Sequence, residues 1–131
     1  MSQEKRVLIV DDALFMRTML KRIISNAGSF EIREADCGSK ALELFPDYRP
    51  WLVLLDISMP GMNGIEVLKE IRRMDTSAHV VMCSAIGQES MITEAMENGA
   101  EEFIVKPFLP EHIVKVLERL LSEEEPEGIH E

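Results

Sequence analysis

Short apolar runs alternate with longer amphipathic segments along the whole chain. Each run is followed by a stretch in which apolar residues recur three and four positions apart, the spacing of one face of a helix. This alternation is typical of repeated strand-helix units and a parallel β-sheet. The predicted strands are residues 6–10, 31–35, 51–55, 79–83 and 102–105. The second alternates apolar with charged residues and is therefore predicted to lie at an edge of the sheet.

The first two predicted helices have recognisable boundary residues. Gly28 follows the first apolar stripe and is predicted to stop that helix in the left-handed conformation. Ser39 is predicted to cap the second helix and Pro46 to end it. The stripes themselves are Met16, Met19, Leu20, Ile23, Ile24 and Ala27 in the first helix, and Leu42 and Phe45 in the second.

The other three predicted helices follow the same logic. Gly64 opens the third, Gly99 stops the fourth, and Pro110 suits the first turn of the fifth. Their apolar positions are Ile65, Leu68 and Ile71; then Met91, Ile92, Ala95 and Met96; then Ile113, Val116, Leu117, Leu120 and Leu121. Five strands alternating with five helices predict an α/β fold with a parallel sheet.

A length of 131 residues fits one domain, which we place at residues 1–122, followed by an acidic, flexible tail at 123–131. The net charge of -10 argues against direct binding to nucleic acid or an anionic membrane, so we expect protein partners. No apolar stretch approaches the roughly 20 residues that cross a bilayer. We expect a cytoplasmic protein without membrane insertion. The spacing of Cys37 and Cys83 implies neither a disulfide nor a zinc site.

Charged residues come directly after three of the predicted strands. Asp11 and Asp12 follow the first, Asp56 follows the third, and Lys106 follows the fifth. The carboxyl ends of parallel strands share one edge of a sheet, where open α/β folds bind ligands. Clustered carboxylates repel one another, and a divalent cation relieves that repulsion. The pattern predicts magnesium and phosphate chemistry at this edge.

Each of these positions also has an ordinary structural interpretation when taken alone. An Asp immediately before a helix is a preferred cap, which would explain Asp11 and Asp12. Asp56 could begin a turn, and Lys106 could be a surface lysine. Ser84, after the fourth strand, could belong to a simple strand-to-helix turn. The functional interpretation is favoured because all these features end strands of one regular series.

Four motifs resemble the receiver domain of two-component response regulators. They are LIVDD at 8–12, LDISMP at 55–60, MCSA at 82–85 and FIVKPF at 103–108. The resemblance covers nearly the whole chain and implies a flavodoxin-like, doubly wound five-stranded parallel sheet in the order 2-1-3-4-5, flanked by five helices. Residues 82–88 and 99–108 further resemble single-domain chemotaxis members of the family.

The resemblance implies a role for each acidic residue. Asp56 would be the nucleophile that accepts a phosphoryl group from a phosphohistidine on a sensor histidine kinase. Asp12 and Asp56 would bind Mg²⁺ through their side chains, and Ser58 through its backbone carbonyl. Asp11 would help to hold a metal-bound water. Magnesium commonly keeps several waters and accepts a substrate phosphate oxygen, which suits such an open site.

The same resemblance assigns the neighbouring residues to catalysis and switching. Lys106 would neutralise charge on the phosphoryl group, and Ser84 would hydrogen-bond it and draw its loop inward, with the Ala85 amide as a further donor. Phe103 would report the change by repacking, although it could instead be only a core residue. X-Pro bonds are cis in about 5–6% of cases, so the sequence leaves open whether Lys106-Pro107 is cis.

Ser58 and Ile86 stand beside the predicted phosphorylation site, and neither side chain can position water as a carboxamide or carboxylate does. We therefore predict slow intrinsic hydrolysis of the aspartyl phosphate and reliance on a separate phosphatase. On this interpretation the protein is a phosphoacceptor rather than an enzyme, since it catalyses only its own phosphorylation and slow dephosphorylation.

Three functions remain open at the level of sequence. The main one is a monomeric chemotaxis regulator whose fourth helix, fifth strand and fifth helix bind a flagellar motor switch protein. An alternative is a phosphorelay intermediate that passes phosphate to a histidine phosphotransfer domain. A more distant alternative is a magnesium-dependent aspartyl-phosphate hydrolase, but such enzymes commonly have a second acidic residue where this chain has Ser58.

Overall fold

The computed structural model describes residues 4–85 and 87–124, in which strands and helices alternate as the sequence predicts. The strands are β1 (Lys5–Val10), β2 (Phe30–Ala35), β3 (Leu52–Leu55), β4 (His79–Ser84) and β5 (Glu102–Val105). The helices are α1 (Leu14–Ala27), α2 (Gly38–Tyr48), α3 (Gly64–Met74), α4 (Glu89–Glu97) and α5 (Pro110–Glu123). No helix among these residues is long and apolar enough to cross a membrane.

All five strands are parallel, in the order β2-β1-β3-β4-β5, so the predicted flavodoxin-like fold is confirmed. The prediction that β2 lies at an edge is also confirmed. The register aligns the strand ends: Val10 pairs with Leu55, and Leu55 pairs with Met82. The residues that follow β1 and β3 therefore emerge side by side at the carboxyl edge of the sheet.

Helices cover both faces of the sheet, which explains why the buried residues of β1, β3 and β4 are almost all apolar. Leu8 and Val10 pack with α2, α3 and Ala95 of α4 on one face. Val7 and Ile9 point to the other face, toward α1 and α5. These apolar residues on the two faces of the sheet are almost completely buried, so a tightly packed core supports the carboxyl edge.

Helix α2 differs from its prediction at both ends. It begins at Gly38, one residue before Ser39, and it continues through Pro46 to Tyr48. The missing Pro46 N-H is tolerated because Tyr48 is buried and its hydroxyl lies 3.0 Å from the Glu31 carbonyl oxygen. Arg49 then ends the helix in the left-handed conformation, with its N-H donating to Phe45 O.

The other helix boundaries agree with the sequence except at one glycine. Gly28 follows α1, but its φ of 168° is extended rather than left-handed, so that prediction is wrong. Gly99 does adopt a left-handed φ of +103° after α4. Pro110 occupies the first turn of α5, and Gly64 is the first residue of α3.

A cluster of polar side chains joins strand starts and the end of α5 at the amino edge of the sheet. The two ring nitrogens of His79 contact the carboxylates of Glu101 and Glu124. Glu124 also accepts from Trp51 Nε1 and pairs with Lys5. Helix α5 and this contact extend past the predicted domain boundary at 122; residues 125–131 of the predicted tail lie outside the described part of the chain, and the division itself stays a prediction.

Candidate functional site

Backbone hydrogen bonds fix the strand ends that carry the predicted site residues. Asp11 N donates to Ala35 O at 3.1 Å, which ties the end of β1 to β2. Asp56 N donates to Val10 O at 3.0 Å, so the residue after β3 is held against the end of β1. Lys106 N donates to the backbone oxygen of Ser84 at 2.9 Å. The sheet itself therefore positions these side chains.

Three carboxylates and one ammonium meet at this edge. One oxygen from each of Asp11, Asp12 and Asp56 lies within 4.8 Å of the others. Lys106 Nζ is 2.7 Å from Asp11 Oδ2 and 3.7 Å from Asp56 Oδ2. Asp11 and Asp56 are only 2% and 5% exposed, whereas Asp12 is exposed. The structure thus brings together the charged groups that the sequence placed at separate strand ends.

The Asp56 carboxyl sits in an environment that opposes its ionisation. Burial raises its pKa, and the neighbouring Asp11 charge acts in the same direction. The Lys106 ammonium and hydrogen bonds from the Ser58 amide and the Ser84 side chain oppose this shift without cancelling it. A carboxylate whose charge is only partly compensated has capacity left for a further cation.

Lys106 is held as an ammonium by the same groups. Burial acts to lower its pKa, but the hydrogen bond to Asp11 and the Asp56 charge outweigh burial, so the pKa is raised. Cys83, one residue before Ser84, is buried in the adjoining core, and burial raises the pKa of its thiol to about 12. Cys83 therefore contributes a neutral packing group, not a reactive thiolate.

The loops around the carboxylates have specific local structure. Asp11 Oδ1 accepts from Ala13 N at 2.9 Å, and the Ser58 amide lies 3.3 Å from Asp56 Oδ1. Helix α1 has Ala13 as its N-cap and no side-chain cap, so the capping interpretation of the two aspartates is wrong. After Asp56 the chain turns at Gly64, where a Cβ would lie 2.2 Å from Asp56 O. Only glycine fits this close approach.

Sequence reasoning missed Arg17, which reaches back from α1 to the site. Its Nη1 donates to the Asp11 carbonyl oxygen at 2.8 Å, and its Nε donates to Glu34 Oε1 at 2.9 Å. Nothing in the hydrophobic pattern singles out this arginine, because charged residues are expected on the outer face of an amphipathic helix. The contact becomes visible only when α1, β1 and β2 are assembled.

Of the remaining predicted residues, Ser84 and Ala85 lie farther along the same edge, whereas Phe103 lies within β5. Ser84 is fully buried at the end of β4, and Ala85 is exposed just after it. Phe103 is half-buried near the start of β5 and packs against the core on the α3 side. The Lys106-Pro107 peptide bond is cis. Ile86, which entered the prediction of slow hydrolysis, lies outside the described residues.

The donor set fits a hard divalent cation. Carboxylate oxygens are the side-chain ligands that Mg²⁺ favours, and three of them converge here. One ammonium leaves this group of three carboxylates with an excess of negative charge. No soft ligand is needed to complete such a site, because magnesium keeps several waters.

Comparison with known proteins agrees with this geometry. The family model of the response regulator receiver domain matches residues 7–118. The chain is 50% identical to the chemotaxis protein CheY of Thermotoga maritima over 88% of this chain and 97% of that protein. It is 45% identical to CheY of Bacillus subtilis over 89% of this chain and 98% of that protein.

A solved structure supports the same relationship. The CheX-CheY-BeF₃-Mg²⁺ complex from Borrelia burgdorferi contains a chain that is 36% identical, with a TM-score of 0.82, over 93% of this chain and 90% of that chain. The sequence match spans most of the sheet and helices, and the structural match reproduces their arrangement. The charged edge therefore lies within a CheY-like signalling domain, and this chain belongs to the response regulator receiver domain family.

Proposed function

We propose that this protein is a phosphorylation-controlled switch in which Asp56 accepts a phosphoryl group from a histidine kinase. The observation that carries the proposal is the burial of Asp56 beside Asp11 and within 3.7 Å of the Lys106 ammonium. A carboxylate nucleophile needs such a cationic neighbour because the incoming group is itself negative. The relatives named above share the domain in which this site lies.

Asp12 and Asp56 would hold Mg²⁺ through side-chain oxygens and Ser58 through its backbone carbonyl, while Asp11 would help to hold a metal-bound water. When bound, the ion neutralises charge on the phosphoryl oxygens. Lys106 would do the same, since its ammonium pairs with Asp11 and lies near Asp56. Phosphoryl transfer depends mainly on such alignment and charge neutralisation, so this edge needs no additional acid or base.

Ser84, Ala85 and Phe103 would convert phosphorylation into a changed surface. The Ser84 side chain hydrogen-bonds Asp56, so a phosphoryl group on that carboxylate would alter its contacts directly. Phe103 lines a groove of about 530 Å³ between β5 and α5, together with His112, Lys115 and Arg119. Glu102 also lines the groove and pairs with Arg119, so the charge that favours an acidic partner segment there comes mainly from Lys115.

The switch would act in chemotaxis in the cytoplasm, and a flagellar motor switch protein would be the partner that binds this groove. Its support is that several similar curated proteins are chemotaxis CheY proteins matched over nearly their full length. The Borrelia relative occurs with CheX, BeF₃ and Mg²⁺ in one complex, which supports the magnesium assignment and reliance on a protein partner. Slow hydrolysis and a separate phosphatase remain part of the proposal.

The phosphoacceptor is tested by intact-mass measurement after incubation with a small phosphodonor, with and without Mg²⁺. We expect one phosphoryl adduct on the native chain, dependent on Mg²⁺, and none on Asp56→Asn. Asp47→Asn, which changes an exposed aspartate on α2, is the matched control and should keep the adduct. An adduct that persists in Asp56→Asn would overturn the assignment.

The partner is tested by comparing phosphorylated and unphosphorylated protein for binding to a motor switch protein and to histidine phosphotransfer domains. Selective binding of the phosphorylated form to the switch protein, weakened by Lys115→Glu in the groove, is the expected result. Transfer of the phosphate to a phosphotransfer domain in preference to switch binding would instead establish a relay intermediate.

A further inference from the structure

Arg17 joins three elements at a point next to the candidate magnesium site. Its guanidinium donates from Nη1 to the carbonyl oxygen of Asp11 and from Nε to the carboxylate of Glu34. Glu34 is the penultimate residue of β2, and it also accepts from Lys21 Nζ at 2.7 Å. The arginine side chain is only 15% exposed, so these bonds are shielded from competing water.

The carbonyl that Arg17 holds belongs to the peptide unit between Asp11 and Asp12. A peptide unit is planar, so fixing its oxygen also fixes the direction in which the backbone leaves toward the next residue. The backbone N-H of Asp11 is bonded to Ala35 O, and its Oδ1 accepts from Ala13 N. Arg17 adds the contact that restrains the peptide leading to the exposed Asp12.

We propose that Arg17, anchored by Glu34, is a positioning residue that presets the Asp11-Asp12 peptide for magnesium. The proposal rests on the proposed function, because it assumes that these aspartates bind the ion. Carboxylates brought together without a cation repel one another and tend to spread. A planar guanidinium with two fixed bonds opposes that spreading, and a lysine ammonium has no comparable fork. Groups that orient metal ligands commonly change metal affinity by about 10- to 100-fold when removed.

Lys21 provides a matched control within the same network. Like Arg17, it lies on α1 and pairs with Glu34. Among the described residues, its side chain hydrogen-bonds only that glutamate. Removing it deletes a nearby positive charge without touching the Asp11 carbonyl. Simple electrostatics and positioning therefore predict opposite results: loss of a cation near an acidic site should tighten Mg²⁺ binding, whereas loss of the Arg17 bridge should weaken it.

The experiment is calorimetric titration of the full chain with Mg²⁺ alone, for the native protein and for Arg17→Met, Arg17→Lys, Glu34→Gln and Lys21→Met. We expect the Kd for Mg²⁺ to rise about tenfold in Arg17→Met, nearly as much in Arg17→Lys, and about threefold in Glu34→Gln. Lys21→Met should stay within about twofold of the native Kd. In phosphorylation assays the Mg²⁺ concentration at half-maximal rate should rise in Arg17→Met, while the rate at saturating Mg²⁺ is retained.

Thermal unfolding of each variant separates positioning from a general structural role. If Tm falls in Arg17→Met or Glu34→Gln but the Kd does not change, Arg17 supports the fold only and the inference is wrong. Tighter Mg²⁺ binding in Arg17→Met would also overturn it in favour of simple electrostatics. Failure of the native protein to bind Mg²⁺, or equal binding by Asp56→Asn, would instead reject the proposed function together with this inference.

Discussion

The two edges of the sheet both carry clusters of charged side chains, but they balance charge in opposite ways. At the carboxyl edge the carboxylates of Asp11, Asp12 and Asp56 lie together, and the Lys106 ammonium pairs with those of Asp11 and Asp56. Burial raises the pKa of Asp56, and its partners do not bring it back. The carboxyl edge thus keeps an excess of negative charge inside the protein.

At the amino edge the acidic groups are better compensated. Burial acts to raise the pKa of Glu124, but hydrogen bonds from Lys5, Trp51 and His79 outweigh it, and the pKa is lowered. The side chain is also 35% exposed, so water shares in its solvation. In this protein, buried charge that stays uncompensated marks the candidate site, whereas compensated charge at the amino edge holds strand starts and α5 together.

Removing the Lys106 ammonium from the carboxyl edge should change the free energy of unfolding more than any other substitution considered at the two edges. Lys106→Met leaves Asp11 and Asp56 buried without their cation, and we expect the free energy of unfolding to fall by about 3 kcal/mol in metal-free buffer. Added Mg²⁺ should recover part of the loss. Urea unfolding with EDTA and with Mg²⁺ measures both effects, with the exposed Lys115→Met as control. Equal stability of Lys106→Met and the native protein in EDTA would show that the carboxylates do not need this cation.

Removing a carboxylate from the same edge should act in the opposite direction. Since the pKa of Asp56 is raised in the folded state, its ionisation opposes folding above its ordinary value of 3.8. We expect Asp56→Asn to gain about 1 kcal/mol of unfolding free energy at neutral pH without metal, and the gain to vanish in acid. Mg²⁺ should stabilise the native protein more than this variant. A destabilised Asp56→Asn in EDTA would contradict the proposed excess of charge.

At the amino edge the corresponding change should be destabilising and smaller. A lowered pKa means that Glu124 contributes stability above its ordinary value of 4.5 and loses it as the pH falls through the folded-state pKa. Because the group is partly exposed and screened, Glu124→Gln should cost only about 0.5 kcal/mol at neutral pH, and the cost should disappear in acid. Urea unfolding across this pH range, with exposed Glu118→Gln as control, checks the sign. A cost that grows in acid would be inconsistent with this compensation.

The sequence predicted most of the carboxyl edge because its residues follow strands directly. Asp11, Asp56 and Lys106 each come immediately after an apolar run, and parallel strands bring such positions together whatever the intervening helices contain. The strand order itself came from family resemblance, since alternation alone allows several orders. The geometry of Lys106 between two carboxylates required the structure.

The contacts that could not be predicted from the sequence join residues whose neighbours along the chain do not indicate a partner. Arg17 and Glu34 lie on different elements, and His79 meets Glu124 only after α5 has crossed the face of the sheet. The predicted end of α2 at Pro46 is wrong for a related reason. Proline commonly ends a helix, but here burial of Tyr48 favours a helix that continues past it. Tertiary packing decides such cases, and hydrophobic periodicity carries no information about it.

Gly64 gives the carboxyl edge a mechanical property. Its N-H donates to Ile57 O at 2.9 Å, and a Cβ at this position would lie 2.2 Å from Asp56 O. No side chain stands between the main chain of Asp56 and the start of α3, so no flexible group cushions that contact. Because the contact is main chain against main chain, a displacement of the Asp56 backbone would be transmitted directly to the first turn of α3.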